Sequence, residues 1–148
     1  MTLHRETSIG YLTNWAARLL VRELDRQLAP LGLTPAHMPV LMALEAGDMT
    51  QKAIAQQAAV EQATMTATLN RMERDGLVIR RPNPQDGRSM LVSLTPLARG
   101  KLPQVAQAAQ TINALAMETL TEAERLQYRA LLGKVIATLE ARDTGITG

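Results

Sequence analysis

Residues 62–74 have the types and spacing of a helix that could read nucleic-acid bases. Met65, Leu69 and Met72 recur at intervals of four and three, which gathers them on one apolar face. The opposite face consists of Ala63, Thr66, Ala67, Asn70 and Arg74, with Gln62, Thr64 and Arg71 on its flanks. Small or hydrogen-bonding side chains of this kind can approach base edges closely, which suggests direct contact with DNA.

Elements on either side would hold this face in place. Thr50 can cap a supporting helix over residues 51–58, and Gly76 can end the reading helix. Two β-rich runs, 77–81 and 90–94, then flank a loop of turn formers at 82–89 that contains an Asp-Gly pair. Helix, turn, helix and hairpin in this order predict a winged helix-turn-helix.

The positive charge of the chain is concentrated beside this pattern. The 148 residues carry a net charge of only +2, yet residues 71–101 hold seven Lys or Arg against three Asp or Glu. Phosphate contact requires such a concentration, because each neutralised phosphate releases counterions. A solvated surface patch is the alternative for a charge cluster alone, but the neighbouring helix-turn-helix pattern favours DNA.

Three motifs in this region resemble those of the MarR (multiple antibiotic resistance regulator) family of bacterial transcription regulators. They are Thr50-Gln51-Lys52-x-Ile54-Ala55, then Thr64-x-Thr66 with Asn70-Arg71-Met72-Glu73-Arg74-x-Gly76-Leu77-Val78, and Asp86-Gly87-Arg88-Ser89 leading into Leu91-Val92-Ser93-Leu94-Thr95. With the flanking helices, the similarity extends over nearly the whole chain. It implies a mainly α fold with a small β-hairpin wing, in which long dimerisation helices flank the winged helix-turn-helix.

The resemblance also implies roles for individual residues. Those that would face the bases of the major groove are Gln62, Ala63, Thr64, Thr66 and Ala67. Those that would hold the DNA backbone are Asn70, Arg71 and Arg74. Arg88 on the wing would enter the minor groove, whose narrow parts attract cations, and Asp86 would hold that arginine in position.

Two residues depart from the family pattern. Ala59 stands in the turn between the two helices, where the family often has glycine, and we expect local strain there. Pro39 lies inside a predicted helix at 35–46, which it would kink beneath the ligand-binding region.

Amphipathic segments at both ends of the chain exceed what a compact winged helix can cover. Apolar residues at helical spacing run over residues 8–29 and 95–142, outside the predicted lobe at 34–94. A second copy joined about a two-fold axis is the simplest partner, and a monomer whose terminal helices pack only on one another is the alternative. We therefore predict one MarR-like domain at 1–148 that forms a homodimer.

No motif supports catalysis, a metal site or a cofactor. The sequence lacks cysteine, a phosphate-binding glycine loop and the G-x-S-x-G and H-E-x-x-H patterns, and its two histidines, His4 and His37, lie far apart. The N-terminus has no secretory layout, and no run of about 18 apolar residues occurs. We expect a cytoplasmic protein that is not an enzyme and does not enter a membrane.

The few aromatic residues suggest an effector site. Tyr11 and Trp15 lie four apart on the first long helix, while His37, Met38 and Met42 begin the helix that should pack beside it. The family often binds aromatic acids between its dimerisation helices and its DNA-binding lobe, so the resemblance places a crevice near these five residues. A purely structural role for Trp15 in an interface or core is the alternative.

These inferences together predict a homodimeric transcription regulator that binds double-stranded DNA. By resemblance it would be a repressor, released from a pseudo-palindromic operator by a small effector that could be aromatic. The alternative is a winged helix used for protein interaction, without specific DNA binding. Salt dependence separates the two, because only binding through phosphates weakens steeply as salt rises.

Overall fold

The fold is mainly helical with one small sheet, as the sequence predicts. A computed structural model describes residues 4–145. Its elements in chain order are α1 (Ile9–Leu28), α2 (Met38–Leu44), β1 (Met49–Thr50), α3 (Gln51–Ala58), α4 (Gln62–Arg74), β2 (Val78–Asn83), β3 (Asp86–Leu94), α5 (Pro96–Ala116) and α6 (Glu122–Gly145). None of these helices is long and apolar enough to cross a membrane.

Contacts divide the described chain into two compact units, one up to Ile112 and one from Asn113 onward. The first holds the winged helix-turn-helix, and the second holds the end of α5 and all of α6. Residues 1–3 and 146–148 of the predicted domain lie outside the described residues. A single domain over 1–148 stays a prediction.

The hydrophobic core lies in the first unit. Its largest fully buried side chains are Leu28, Val40, Leu41, Leu44, Ile54, Leu69, Met72, Val78 and Val92. Ala98, Val105 and Ala108 from α5 join the same cluster. The core therefore extends beyond the predicted lobe at 34–94, because the end of α1 and the start of α5 close it on two sides.

The predicted helix starts at Thr50 and Thr95 are confirmed by capping hydrogen bonds. The Thr50 hydroxyl accepts from the Ala53 backbone N–H at 3.2 Å, and the Thr95 hydroxyl accepts from that of Ala98 at 3.2 Å. Each bond satisfies a donor that the first helical turn leaves without a partner. These caps fix where α3 and α5 begin.

Helix α4 ends at a left-handed glycine, as predicted. Gly76 has φ +74°, and the backbone N–H groups of Gly76 and Leu77 donate to the carbonyls of Glu73 and Met72 at 3.1 and 2.8 Å. This is the hydrogen-bonding pattern of a Schellman motif, which satisfies carbonyls at the helix end. Gly76 suits the position because it has no Cβ to clash there.

Helix α3 ends in the same way without a glycine. Ala59 has φ +53°, and it is the single non-glycine residue with a positive φ among residues 4–145. The N–H groups of Ala59 and Val60 donate to the carbonyls of Gln56 and Ala55 at 3.1 and 3.0 Å. Ala59 thus adopts the left-handed conformation for which we expect strain, because a side chain there meets its own backbone.

The expected kink at Pro39 is wrong. Residues 35–46 do not form one helix, since a single 3₁₀ turn over Pro35–His37 precedes α2, which starts at Met38. Pro39 thus falls in the first turn of α2, where its missing N–H would have had no partner within the helix. Proline at this position starts the helix instead of bending it.

The sheet has three antiparallel strands in the order β1-β3-β2. Strand β1 was not predicted, because its two residues, Met49 and Thr50, are too few to show alternation. The expected loop at 82–89 was too long. Asn83 pairs with Asp86, so only Pro84 and Gln85 form the turn, and Asp86 to Ser89 belong to β3. The wing is therefore a hairpin with a two-residue turn.

Candidate nucleic-acid interface

Helix α4 has one buried and one exposed face. Its buried side chains are Met65, Thr68, Leu69 and Met72, and they anchor the helix in the core. Its exposed residues are Gln62, Ala63, Thr64, Ala67, Asn70, Arg71, Glu73 and Arg74. The anchored face leaves the side that was predicted to read DNA open to solvent along the whole helix.

Thr66 differs from its neighbours on that side, because its hydroxyl is already used within the chain. Its Oγ accepts from Gln51 Nε2 at 2.7 Å and donates to the Gln62 carbonyl at 2.9 Å. The bond to Gln51 joins the supporting helix α3 to α4. Gln51 was not predicted as a site residue, and its role is to set the orientation of the two helices.

Arg80 on β2 ties the C-terminal half of α4 to the base of the wing. Its Nη2 donates to Asn70 Oδ1 at 2.7 Å and to Glu73 Oε1 at 3.1 Å, and its Nε donates to Glu73 Oε2 at 3.4 Å. Its backbone N–H also donates to Glu73 Oε2, at 3.2 Å. These hydrogen bonds from Arg80 hold the pKa of Glu73 below its usual range. Sequence analysis did not predict Arg80 or Glu73 as DNA-binding residues.

Three more basic residues between 71 and 101 are engaged inside the chain. Their contacts are Arg74 Nε to Asp75 Oδ1 at 3.1 Å, Arg81 Nη2 to Asp48 Oδ2 at 2.7 Å, and Lys101 Nζ to the Leu31 carbonyl at 2.6 Å. A hydrogen bond from Arg81, and then one from Ser93, lower the pKa of Asp48. The segment therefore offers less unpaired charge to phosphates than its composition indicates.

Arg71, Arg88 and Arg99 complete the set of seven. Within residues 4–145, their guanidinium groups make no hydrogen bond and no ion pair. All three residues are exposed. Because they lie on α4, the wing and α5, their charges remain available to an anionic partner on three elements.

The wing is braced by side chains near its turn. Asp86 Oδ1 accepts from the backbone N–H of Arg88 at 3.0 Å, and Asn83 Nδ2 donates to Ser89 Oγ at 3.1 Å. Asp86 thus holds the backbone at Arg88, whereas the resemblance implied a hold on the arginine. Asn83 was not predicted, although its position before a Pro-Gln turn is typical of a turn-bracing residue.

The five residues predicted to bind an effector fall into separate groups. Tyr11 and Trp15 form an edge-to-face pair with ring centroids 6.2 Å apart. The guanidinium of Arg5 lies 4.5 Å from the Trp15 ring centroid, and that of Arg18 lies 5.8 Å from the Tyr11 centroid. The two aromatic residues of α1 thus each lie beside a cation, Arg18 on the same helix and Arg5 before it.

Met38 and Met42 line a groove of about 160 Å³ beside Leu102, Val105 and Glu45. Glu45 is its one charged lining residue, and neither aromatic residue of α1 lines it. His37 does not line it either. His37 is buried, its Nδ1 accepts from the Thr34 backbone N–H at 3.1 Å, and burial lowers its pKa. Of the five residues predicted to form the crevice, only Met38 and Met42 therefore line one groove within a single chain. The crevice stays a prediction.

Comparisons with known proteins agree with this geometry. A model described as MarR family matches residues 31–89. The transcriptional repressor NicR of Pseudomonas putida is 30% identical over 129 residues, which are 86% of this chain and 82% of NicR. The chain belongs to the MarR family.

Two solved structures share the fold along most of the chain. A mutant of Escherichia coli MarR in complex with operator DNA is 30% identical, with a TM-score of 0.83, and the match covers 91% of this chain and 99% of that one. BpsR of Bordetella bronchiseptica, whose DNA binding is regulated by 6-hydroxynicotinic acid, is 27% identical, with a TM-score of 0.82 and coverage of 91% and 97%. This MarR-family protein is a DNA-binding transcription regulator.

Proposed function

We propose that this protein is a homodimeric repressor that leaves a pseudo-palindromic operator when a small effector binds. The observation that carries the proposal is the division of α4 between a core-anchored face and an exposed face beside the wing. A helix of the winged helix-turn-helix that is fixed on one side and open on the other can lie in a major groove.

The exposed surface supports a division of labour among its residues. Gln62, Ala63, Thr64, Thr66 and Ala67 would contact base edges, and Asn70, Arg71 and Arg74 would hold phosphates. For Arg74 this requires its solvent-exposed pair with Asp75 to open. Arg88, with its backbone braced by Asp86, would enter the minor groove. Exposure of Ala63 and Ala67 suits close approach to thymine methyl groups, while Gln62 suits hydrogen bonding to adenine.

Exposed apolar side chains support the homodimer. Those on α1 are Ile9, Tyr11, Leu12, Leu19, Leu20 and Val21, and those on α6 are Leu126, Tyr128, Leu131, Val135, Ile136 and Leu139. Burying a large apolar side chain contributes about 1.5–3 kcal/mol, so such stripes favour association. A two-fold dimer would present two recognition helices to two half-sites about 10 bp apart.

Repression and an aromatic effector are proposed from relatives. NicR is named a repressor, and 6-hydroxynicotinic acid regulates DNA binding by BpsR. The groove at Met38 and Met42 is smaller than the roughly 300–1,000 Å³ of most ligand sites, so a single ring is the size of ligand that suits it. Its one charged residue, Glu45, favours a neutral or cationic ring over an acid at that place.

Selection of bound sequences from a random DNA pool tests the DNA-binding part. We expect the selected sequences to contain an inverted repeat. Binding of the protein to it, followed by gel retardation, should weaken steeply between low and moderate salt. Failure to enrich any sequence, with weak binding that salt barely changes, would favour the protein-interaction alternative. Size measurement in solution tests the dimer in the same preparation.

Trp15 emission tests the effector, since it is the single tryptophan. Salicylate-like and nicotinate-like compounds, including neutral and cationic analogues, would be titrated against the operator complex. We expect emission and operator release to change at one ligand concentration. If a broad panel changes neither signal, effector release is wrong for these compounds.

A further inference from the structure

Asn70, Glu73 and Arg80 form a cluster at the edge of the exposed face of α4. The spacing of three places Asn70 and Glu73 side by side on the helix, so that one guanidinium reaches both. Only 17% of the Arg80 side chain is exposed, against 43% for Glu73. Since the Glu73 carboxylate meets both Nε and Nη2, it neutralises Arg80 and makes it a poor ligand for phosphate.

The bond from Arg80 decides which way the Asn70 amide faces. A guanidinium has five N–H donors and no acceptor, so the atom of Asn70 that meets Arg80 is the carbonyl oxygen. Nδ2 then lies on the other side of the planar amide, and it has no acceptor among residues 4–145. Asn70 is exposed, so this donor is open to a partner from outside.

We propose that Arg80 is a positioning residue, which holds Asn70 so that its amide nitrogen donates to a DNA phosphate, and that Arg80 itself does not contact DNA. Amide donors to phosphate fix the register of a protein on the duplex without reading sequence. The inference depends on the proposed DNA contact of α4. It adds that one arginine of the basic segment acts through a neighbour.

The test uses labelled operator DNA, selected from a random pool by the unchanged protein, and measures affinity over a series of salt concentrations. The central variant combines Glu73→Gln with Arg80→Met, which removes the pair without changing net charge. The matched control combines Asp48→Asn with Arg81→Met, which removes the neighbouring pair in the same way. Arg71→Met serves as the reference for a direct phosphate contact.

We expect the central variant to bind about 25-fold more weakly, the effect of one lost hydrogen bond in each protomer of the dimer, with an unchanged salt slope. The Asp48/Arg81 control should stay within about twofold, since it does not touch Asn70. Arg71→Met should lower the slope by about 1.8, which is about 0.9 for each protomer. In an Asn70→Ala background, the central change should cost nothing further, because the residue through which Arg80 acts is gone.

Asn70→Asp provides a second measurement that leaves the Glu73–Arg80 pair in place. It keeps an oxygen for Arg80 but replaces the outward N–H donor with a second oxygen, so it should weaken binding more than Asn70→Ala. Ala137→Glu on α6 is the control for the change in net charge, because Ala137 is exposed and lies outside the lobe, on the side of α6 opposite its apolar stripe.

Three results would overturn the inference. A slope reduced by about 1.8 in the central variant, about 0.9 for each protomer, would place Arg80 on a phosphate. Additive losses from Asn70→Ala and the central change would show that Arg80 does not act through Asn70. A smaller loss for Asn70→Asp than for Asn70→Ala would show that the amide nitrogen is not the donor. If the unchanged protein enriches no DNA, the proposed function fails as well.

Discussion

The lobe and helix α6 use their apolar residues in opposite ways. In the lobe, α2, α3, α4 and the sheet all contribute fully buried side chains to one core. Helix α6 has 24 residues and a stripe of large apolar side chains, yet none of its described residues is buried. The lobe is a finished structure within one chain, whereas α6 presents a surface that one chain leaves uncovered.

This difference shows what amphipathic periodicity can predict. The apolar stripe of α4 and that of α6 look alike in sequence, and both correctly predict a helix. Periodicity does not say which body covers the stripe. For α4 it is the core of the same chain, and for α6 we propose that it is a second copy.

Breaking the α6 stripe should give the largest effect. Val135→Glu would place a charge in the proposed interface twice per dimer, which costs at least about 3 kcal/mol when the charge has no partner. We expect a monomer with an intact lobe and no measurable operator binding. Sedimentation velocity, circular dichroism and gel retardation of one preparation check these three points.

Ala137→Glu is the matched control for that prediction. At 3.6 residues per turn, two residues correspond to about 200°, so Ala137 and Val135 lie on opposite sides of α6. The same substitution there should leave a dimer that binds the operator. If Val135→Glu also dimerises normally, the stripe of α6 is not the dimer interface. A second copy would then not be what covers the apolar residues of α6.

The wing should give the next largest effect, and it should act on the lobe alone. Arg88→Ala removes an exposed cation from β3, and we expect operator binding to weaken by about 1–3 kcal/mol with the dimer intact. Fluorescence anisotropy over several salt concentrations would measure affinity and slope together. Arg142→Ala, which removes an arginine from α6, should change neither. Unchanged affinity for Arg88→Ala would remove the wing from DNA binding.

Much of the lobe could be predicted because its signals are local. The caps at Thr50 and Thr95, the glycine end of α4 and the buried face of that helix each depend on residues within one or two turns. Strand β1 and the two-residue turn of the wing could not be predicted. Their pairing depends on strands brought together by the whole sheet.

The candidate site was predicted in part for the same reason. Types and spacing selected the exposed face of α4, but they could not show which cations are neutralised. Arg80 meets Glu73 across seven residues, and Arg81 meets Asp48 across 33. Both pairs form only after the wing folds against its neighbours. Counting charges along the segment therefore overstated what is free to meet phosphates.

The paired helix ends of the lobe give a smaller, matched test. Ala59→Gly would relieve the left-handed alanine, and we expect it to stabilise the lobe by about 0.5–1 kcal/mol after the entropy gained by the unfolded chain. Gly76→Ala imposes the same left-handed strain at the end of α4, where a Cβ would meet only Leu97 at 4.0 Å. We expect it to destabilise the lobe by a similar amount. Urea unfolding of both variants measures this, and equal stabilities would contradict the strain at Ala59.

The smallest expected effect is a dependence on pH that belongs to the lobe. Burial lowers the pKa of His37, Asp75 partly opposes this, and Arg71 adds to it. The folded state therefore takes up the proton at lower pH than the unfolded chain, whose histidine titrates near 6.5. The contribution of His37 to stability is present above that value and is lost as pH falls from it through the lower pKa of the folded state.

Unfolding free energy measured between about pH 7.5 and 5.5 should show this loss, and His37→Asn should reduce it. Asparagine can still accept the Thr34 N–H but does not titrate in that range. His4→Asn is the control, because His4 is exposed and should not matter. Since residues 113–148 contain no histidine, dimer dissociation should respond much less over the same interval. A pH dependence that persists in His37→Asn would assign the proton to another group and leave His37 as a neutral part of the turn before α2.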